Sequence, residues 1–139
     1  MRRAALARLV LVALLAGGGT GAVASDAPPL REVAEIDDRV VEIAVANRIR
    51  KRCDDISARM FDAIGLARRL EAEAKTMGYS DADIRAYMQS EPEKRLRRAR
   101  RDAIFAARGI DPKDRAALCR MGHEEIARNS QIGALLRAR

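Results

Sequence analysis

One stretch of the sequence carries residue types that are used in metal chemistry. His123, Glu124 and Glu125 stand together within LCRMGHEEIARNS, residues 118–130. A histidine followed by glutamate begins the helical zinc motif of many hydrolases, in which a second histidine four residues later shares the helix face and also binds the metal. Here that position is Ala127, and His123 is the only histidine of the chain. We therefore predict an ordinary helix turn with its acidic residues facing solvent, and no metal ligand, catalytic residue or cofactor.

Catalysis without a metal remains as an alternative hypothesis. The chain has no G-x-S-x-G sequence, so the strand-to-helix turn that exposes the serine nucleophile of many hydrolases is not predicted. Twenty acidic residues offer many carboxylate pairs, and the sequence favours none of them. A small enzyme that uses a carboxylate pair or His123 is therefore kept as the second function. An acidic pocket lined by His123 would favour it.

A second stretch is strongly basic. Six of the eight residues of KRLRRARR, residues 94–101, are Lys or Arg. Such a run suits an acidic protein surface or anionic lipid headgroups, whereas a nucleic-acid role would also need stacking aromatic residues or a recognisable module. The alternative is a solvated helix face paired with acidic neighbours. The helical period predicts an inward stripe of Leu96, Ala99, Ala103 and Ile104. The candidate partner surface consists of Arg97, Arg98, Arg100 and Arg101.

The first two dozen residues differ from the rest of the chain. Arginines precede the apolar run LVLVALLA, residues 9–16, and small residues follow it up to Ala24. This order is typical of a secretory signal peptide, and the run is shorter than the ~20 residues of a membrane span. We predict cleavage after Ala24 and a periplasmic protein; the alternative is an uncleaved membrane anchor. Residues 1–24 hold three of the 27 basic residues, which leaves 24 basic against 20 acidic residues and a net charge of +4.

Cys53 and Cys119 are the only two cysteines. An exported protein meets an oxidising environment, and one pair allows a single connectivity. We predict a disulfide that closes a loop of 66 residues. The chain-entropy model assigns a loop of this size about 4 kcal/mol of stabilisation. A metal or redox pair is the alternative, but C-x-x-C spacing and further ligands are both missing from the sequence.

The remaining pattern is helical, with capping residues between the segments. We predict a single all-α domain over 25–139, a compact bundle of five or six helices after an extended lead-in over 25–29. The first helix ends near Arg52, and the second starts at Asp54 or Asp55 and ends before Gly78. Its expected apolar stripe is Ile56, Met60, Phe61, Ile64, Ala67, Leu70, Ala74 and Met77. Later predicted starts are Ser80 with Asp83 as a capping box, Pro92 in a first turn, Asp111 with Pro112, and Ser130 before a last short helix.

Several short motifs are shared with a known group of proteins. They are Cys53 before ISARM, the turn Gly78-Tyr79-Ser80, Cys119-Arg120-x-Gly122, EIAR at 125–128, and SQIGxLLR at 130–137. Over the whole mature chain the sequence resembles an uncharacterised family of small exported, two-cysteine helical proteins of alphaproteobacteria. Some members are named after respiratory NADH dehydrogenase subunits, apparently from gene neighbourhood. The resemblance implies an exported, disulfide-bonded protein and a possible association with a respiratory complex.

The sequence thus favours a non-catalytic periplasmic interaction or structural protein. Its expected partner is another protein or the anionic membrane surface, bound by the four arginines and the segment 131–139. A cytosolic nucleic-acid binder is the third hypothesis, which applies if residues 1–24 are not a signal.

Overall fold

The computed structural model describes residues 26–139, and the predicted signal peptide lies outside them. In this part of the chain the elements are α1 (Ala34–Arg52), β1 (Ile56–Ala58), α2 (Met60–Thr76), α3 (Asp81–Gln89), α4 (Glu91–Ala107), α5 (Arg115–Ala127) and β2 (Leu136–Ala138). Single 3-10 turns at Leu30–Glu32 and Gly133–Leu135 precede α1 and β2. The predicted helical fold class is confirmed, with five α-helices among the described residues. None of these helices is long and apolar enough to cross a membrane.

The boundary between α2 and α3 lies where the sequence predicts it. The Ser80 hydroxyl accepts a hydrogen bond from the Asp83 amide (3.1 Å), and the Asp83 carboxylate accepts one from the Ser80 amide (2.8 Å). This reciprocal pair satisfies two backbone donors that the first turn of α3 leaves free. Gly78 follows α2 with a φ of +94°, a left-handed conformation that glycine adopts without a steric penalty. Local chemistry therefore sets the turn between α2 and α3.

The predicted helix start at Asp54 or Asp55 is wrong. Cys53 ends α1 in an extended conformation (φ −114°, ψ 115°), and the next residues form a turn that leads into β1. Strand β1 pairs antiparallel with β2, with Ile56 opposite Ala138 and Ala58 opposite Leu136. The all-helical expectation missed this ladder because strands of three residues are too short to show an alternating pattern.

Two predicted starts near the end of the chain are also wrong. Helix α5 begins at Arg115 with Asp114 as its cap, and the Asp114 carboxylate accepts a hydrogen bond from the Ala117 amide (3.0 Å). Asp111 instead accepts a hydrogen bond from the Lys113 amide (2.8 Å) and so closes a separate turn. The last predicted helix is only the 3-10 turn Gly133–Leu135, where the Ser130 hydroxyl accepts from the Gly133 amide (2.9 Å), followed by β2.

The core lies along α1, which packs against α4 and α5. Its most deeply buried side chains come from both strands and from three of the helices: Val45, Ile49, Ile56, Phe105, Leu118, Met121 and Leu136. The predicted disulfide between Cys53 and Cys119 is present and joins the end of α1 to α5, with the two Cα atoms 5.5 Å apart. Because disulfides persist outside reducing compartments, the bridge indicates an oxidising, non-cytoplasmic setting.

Helix α4 is rotated relative to the predicted stripe. Leu96 is 49% exposed, and Ala99 and Ala103 are also exposed. The helix instead buries Phe105 and half-buries Arg97 and Arg101, whose aliphatic stems cover apolar surface while the guanidinium groups find polar partners. The expectation failed for three of its four positions, because Phe105 and the stems of Arg97 and Arg101 form the buried side of α4 instead.

Gly133 marks the closest approach between the 3-10 turn and α5. A Cβ atom at this position would lie 1.9 Å from the Glu125 carbonyl oxygen and 2.9 Å from the Ile126 amide nitrogen. These are backbone atoms, which cannot rotate away. Replacing Gly133 with Ala is therefore expected to lower the free energy of unfolding by about 2 kcal/mol through overpacking. Urea denaturation followed by circular dichroism would measure this, with Gly65→Ala as the control because its nearest contact is a flexible arginine at 3.5 Å. Equal stability of the two variants would contradict the close approach.

Candidate functional site

His123 lies on α5, and its described partner is the carboxylate of Asp55. Its Nε2 atom is 2.7 Å from the Oδ2 atom of Asp55, and both side chains are exposed. This hydrogen bond holds the pKa of Asp55 below its usual value. In residues 26–139, no three or more His, Cys, Asp or Glu side chains are placed to hold a metal ion. Ala127 occupies the position where a zinc motif would place its second histidine.

Glu125 is not at the solvent face, and that part of the sequence prediction is wrong. The side chain is 1% exposed and accepts hydrogen bonds from Arg108, Arg128 and Ser130. Burial alone would raise the pKa of Glu125, but these donors, Arg108 foremost, lower it below its usual value. Glu125 is therefore an ionised structural carboxylate that joins α5 to the end of α4 and to the 3-10 turn.

The sequence carried only part of the signal for this cluster. Arg128 stands three residues after Glu125 on the same helix, a spacing at which side chains are neighbours. Ser130 follows closely, but Arg108 comes from α4, and nothing in the sequence links the two helices at that point. Buried carboxylates that need a distant arginine are invisible to local pattern analysis.

A second buried carboxylate, Asp37, lies between α1 and α4. The Tyr87 hydroxyl donates to its Oδ1 atom (2.5 Å), and Arg100 forms ion pairs with Asp37 and, at 2.7 Å, with Asp38. Burial is the main cause that raises the pKa of Tyr87. Asp37 and Glu125 thus belong to separate ion-pair clusters on different helices, and each carboxylate is paired with at least one arginine.

The four candidate arginines of α4 do not form one free surface. Arg97 lies 4.9 Å from the centre of the Tyr87 ring and donates to the Tyr87 carbonyl oxygen (2.8 Å). Arg100 is paired with α1, and Arg101 donates to Asp102 (2.8 Å). Within residues 26–139, only Arg98 of the four makes no hydrogen bond or ion pair. Three of the four arginines of the predicted surface are therefore engaged in contacts within the protein.

The most exposed apolar side chains lie instead at the start of α2. Phe61 is 92% exposed, Met60 is 53% exposed, and Ile64 is also exposed one turn further along. We call Met60, Phe61 and Ile64 the apolar tip. The sequence analysis placed all three in the core stripe of the second helix, which is correct for Leu70 and Ala74 but wrong here. Because β1 ends at Ala58, α2 starts later than predicted and its first turn projects beyond the core.

Two hollows follow α1 next to the apolar tip. The outer hollow, of about 310 Å³, lies between α1, α2 and α4, and the inner hollow, of about 170 Å³, lies between α1, α2 and α3. Val40, Ile43 and Met88 line both of them. We call the two together the α1 groove. Its walls are mostly apolar, and Arg50 and Arg97 lie at the outer hollow.

Comparison with known proteins adds a family but no activity. No curated protein and no solved structure matches the chain. A family model described as a family of unknown function, DUF5333, matches residues 28–137. This match spans nearly all of the described residues, including both cysteines, the apolar tip and the α1 groove. The chain therefore belongs to the family of unknown function DUF5333.

Proposed function

We propose that the chain is a non-catalytic periplasmic binding protein that captures a partner protein through the apolar tip. One observation carries the proposal: a phenylalanine that is 92% exposed lies among two further exposed apolar side chains on a folded scaffold. Exposed apolar residues scattered singly are ordinary, but a cluster of them with a polar rim is typical of an interaction site. Aromatic residues, Met and Arg are the types enriched at protein interfaces.

The surroundings of the apolar tip suit a protein better than a lipid surface. Arg59 lies 4.0 Å from Asp62, which offsets its charge, and its Nε atom donates to the Leu136 carbonyl oxygen (3.1 Å). Arg137 donates to the Ser57 hydroxyl (3.1 Å). Both arginines are thus oriented by internal contacts, in the way that the rim of a preformed interface is held. Attraction to anionic lipid depends instead on several basic residues that are free to meet the membrane surface.

The compartment and the class of partner are proposed from other features of the chain. The Cys53–Cys119 disulfide and the signal-like segment before Ala24 support an oxidising, exported compartment. The resemblance to proteins named after respiratory NADH dehydrogenase subunits makes a respiratory membrane complex a reasonable first source of partners. The four α4 arginines, of which Arg98 makes no hydrogen bond or ion pair within the described residues, provide a secondary surface for an acidic partner.

The test places a photo-crosslinking amino acid at Met60 in the native host. We expect one discrete protein adduct, and we expect the added change Phe61→Ser to reduce it at least tenfold because interface energy concentrates in a few aromatic anchors. Because Phe61 is exposed, the same change should leave the free energy of unfolding within about 0.5 kcal/mol. Urea denaturation of the purified variant would check this second expectation.

The matched control places the same crosslinker at Leu96, which is 49% exposed against 53% for Met60. Equal adducts from both positions, or an adduct at Met60 that survives Phe61→Ser, would contradict the proposal. Adducts formed with lipid alone would indicate the membrane surface as the partner instead.

A further inference from the structure

The two ends of the α1 groove differ in the chemistry of the side chains that line them. Apart from Glu71 and the ring of Tyr87, its inner hollow is lined by apolar side chains of the first 3-10 turn and of α1, α2 and α3: Leu30, Ile36, Val40, Ile43, Ala67, Leu70, Ala74, Ile84 and Met88. Glu71 is held at the rim by Lys75 (2.8 Å). The outer hollow carries two guanidinium groups, those of Arg50 and Arg97. The groove therefore has an apolar inner end and a cationic outer end.

The cationic end has hydrogen-bonding capacity that the protein itself does not use. Arg50 is half-buried and makes no hydrogen bond or ion pair within residues 26–139. The Nε atom of Arg97 is buried and has no hydrogen-bond partner among those residues. A buried donor without an acceptor is costly, and native structures seldom leave one unmatched. An anionic group in the outer hollow would give Arg50 a partner and would neutralise the charge of Arg97 beside it.

The length and width of the groove limit what can occupy it. From Ile36 to Arg50 the lining follows α1 for 14 residues, or about 21 Å. One acyl chain spans half of a bilayer core, roughly 15 Å. One turn of a partner helix, with a diameter of ~10–12 Å and a pitch of about 5.4 Å, has a volume of roughly 500 Å³, well above the 170 Å³ of the inner hollow, whereas part of a single methylene chain fits.

Met88 lies at the boundary between the two hollows, together with Val40 and Ile43. It lines both of them and its side chain is exposed. Methionine has three rotatable side-chain bonds and changes rotamer at little cost. A change of Met88 rotamer would therefore alter the boundary between the two hollows without any movement of the helices.

We propose that the α1 groove binds a single-chain anionic amphiphile, with its acyl chain in the inner hollow and its carboxylate or phosphate on Arg50 and Arg97. The groove follows the usual design of a small-molecule site, a concave apolar surface with a few polar groups that fix orientation. This inference is independent of the proposed capture of a partner protein. The two surfaces share Met60, but Phe61 and Ile64 do not line the groove.

The experiment uses the purified oxidised protein and native mass spectrometry below the micelle-forming concentration. The probes are hexadecanoate, a lysophosphatidylglycerol and an uncharged monoacylglycerol. We expect saturable one-to-one binding of an anionic probe, at least about tenfold tighter than the uncharged one, since a hydrogen bond to a charged group contributes roughly this factor. Binding of hexadecanoate alone would identify a fatty acid as the ligand source, and binding of the lysolipid alone would identify a phospholipid.

Variants locate the ligand in the groove. Arg50→Gln should weaken anionic binding about tenfold, whereas Arg98→Gln, on the same protein but away from the groove, should leave it unchanged. Ala63→Phe should fill the outer hollow and abolish binding, with circular dichroism used to verify the fold. Phe61→Ser should retain binding, which separates this inference from the proposed function. Failure of every probe to bind, equal affinity for the uncharged probe, or identical behaviour of Arg50→Gln and Arg98→Gln would each overturn the proposal.

Discussion

Replacing Cys53 and Cys119 together with alanine is expected to lower the free energy of unfolding by about 4 kcal/mol. The bridge closes a loop of 66 residues that contains β1, α2, α3, α4 and the first turn of α5. Without the bridge, the conformational entropy of the unfolded chain rises, because the loop is no longer closed. The native state has no comparable gain in entropy, so the unfolded state is favoured. The effect is comparable to the whole net stability of many small domains.

Urea denaturation of the oxidised protein, the reduced protein and the double variant would measure this effect. The reduced protein serves as the control, because it keeps both sulfur atoms and loses only the covalent bond. We expect the reduced protein and the variant to have lost nearly the same stability. A loss below about 1 kcal/mol in both would mean that the remaining contacts between α1 and α5 already restrict the unfolded chain.

Glu125→Ala is expected to lower the free energy of unfolding by about 3 kcal/mol, the lower end of the range for breaking a buried ion pair. The substitution removes the acceptor that Arg108, Arg128 and Ser130 share. The two arginines are partly exposed and can turn toward water, which limits the loss. Glu124→Ala is the control, because Glu124 is the exposed neighbour on the same helix. Equal urea midpoints for the two variants would contradict a structural role for Glu125.

The contribution of Glu125 also has a definite pH dependence. Its pKa in the folded protein is lowered from the ordinary value of 4.5, so the unfolded state binds a proton more readily than the native state. The stabilisation is therefore fully present above about pH 4.5 and is lost as the pH falls through the lower folded pKa. Denaturation of wild type and Glu125→Ala at several acidic pH values should show the difference between them shrinking. A constant difference would show that the carboxylate charge is not what stabilises the fold.

Several features of this fold that depend on neighbours in the sequence were predictable, although the predicted caps at Asp111 and Ser130 were not among them. The Ser80–Asp83 capping box, the glycine after α2 and the single possible cysteine pairing each depend on a few residues of known chemistry. The helical fold class follows from the same local signals. The function hypotheses had less support, because the residues that looked most chemical, His123 and the α4 arginines, are largely engaged in contacts within the protein.

Features that depend on distant segments were not predictable. β1 forms only because β2 supplies hydrogen bonds from the far end of the domain, and Arg100 of α4 finds its carboxylate partners, Asp37 and Asp38, on α1. Exposure of Phe61 has the same origin, since it follows from where β1 ends. A helical period alone cannot distinguish a core stripe from an interaction face when both are apolar.

Pairing of Ile56 with Ala138, together with the bridge between α1 and α5, has a kinetic consequence. Individual helices form within about a microsecond, but these closures must bring together segments from opposite ends of the domain. Closing such loops lowers the conformational entropy of the chain before the contacts between the segments can stabilise it. Folding is slowed for this reason. We therefore expect the refolding rate of the reduced chain to resemble that of mixed α/β domains rather than that of simple helical bundles. An intact bridge would shorten the search and raise that rate.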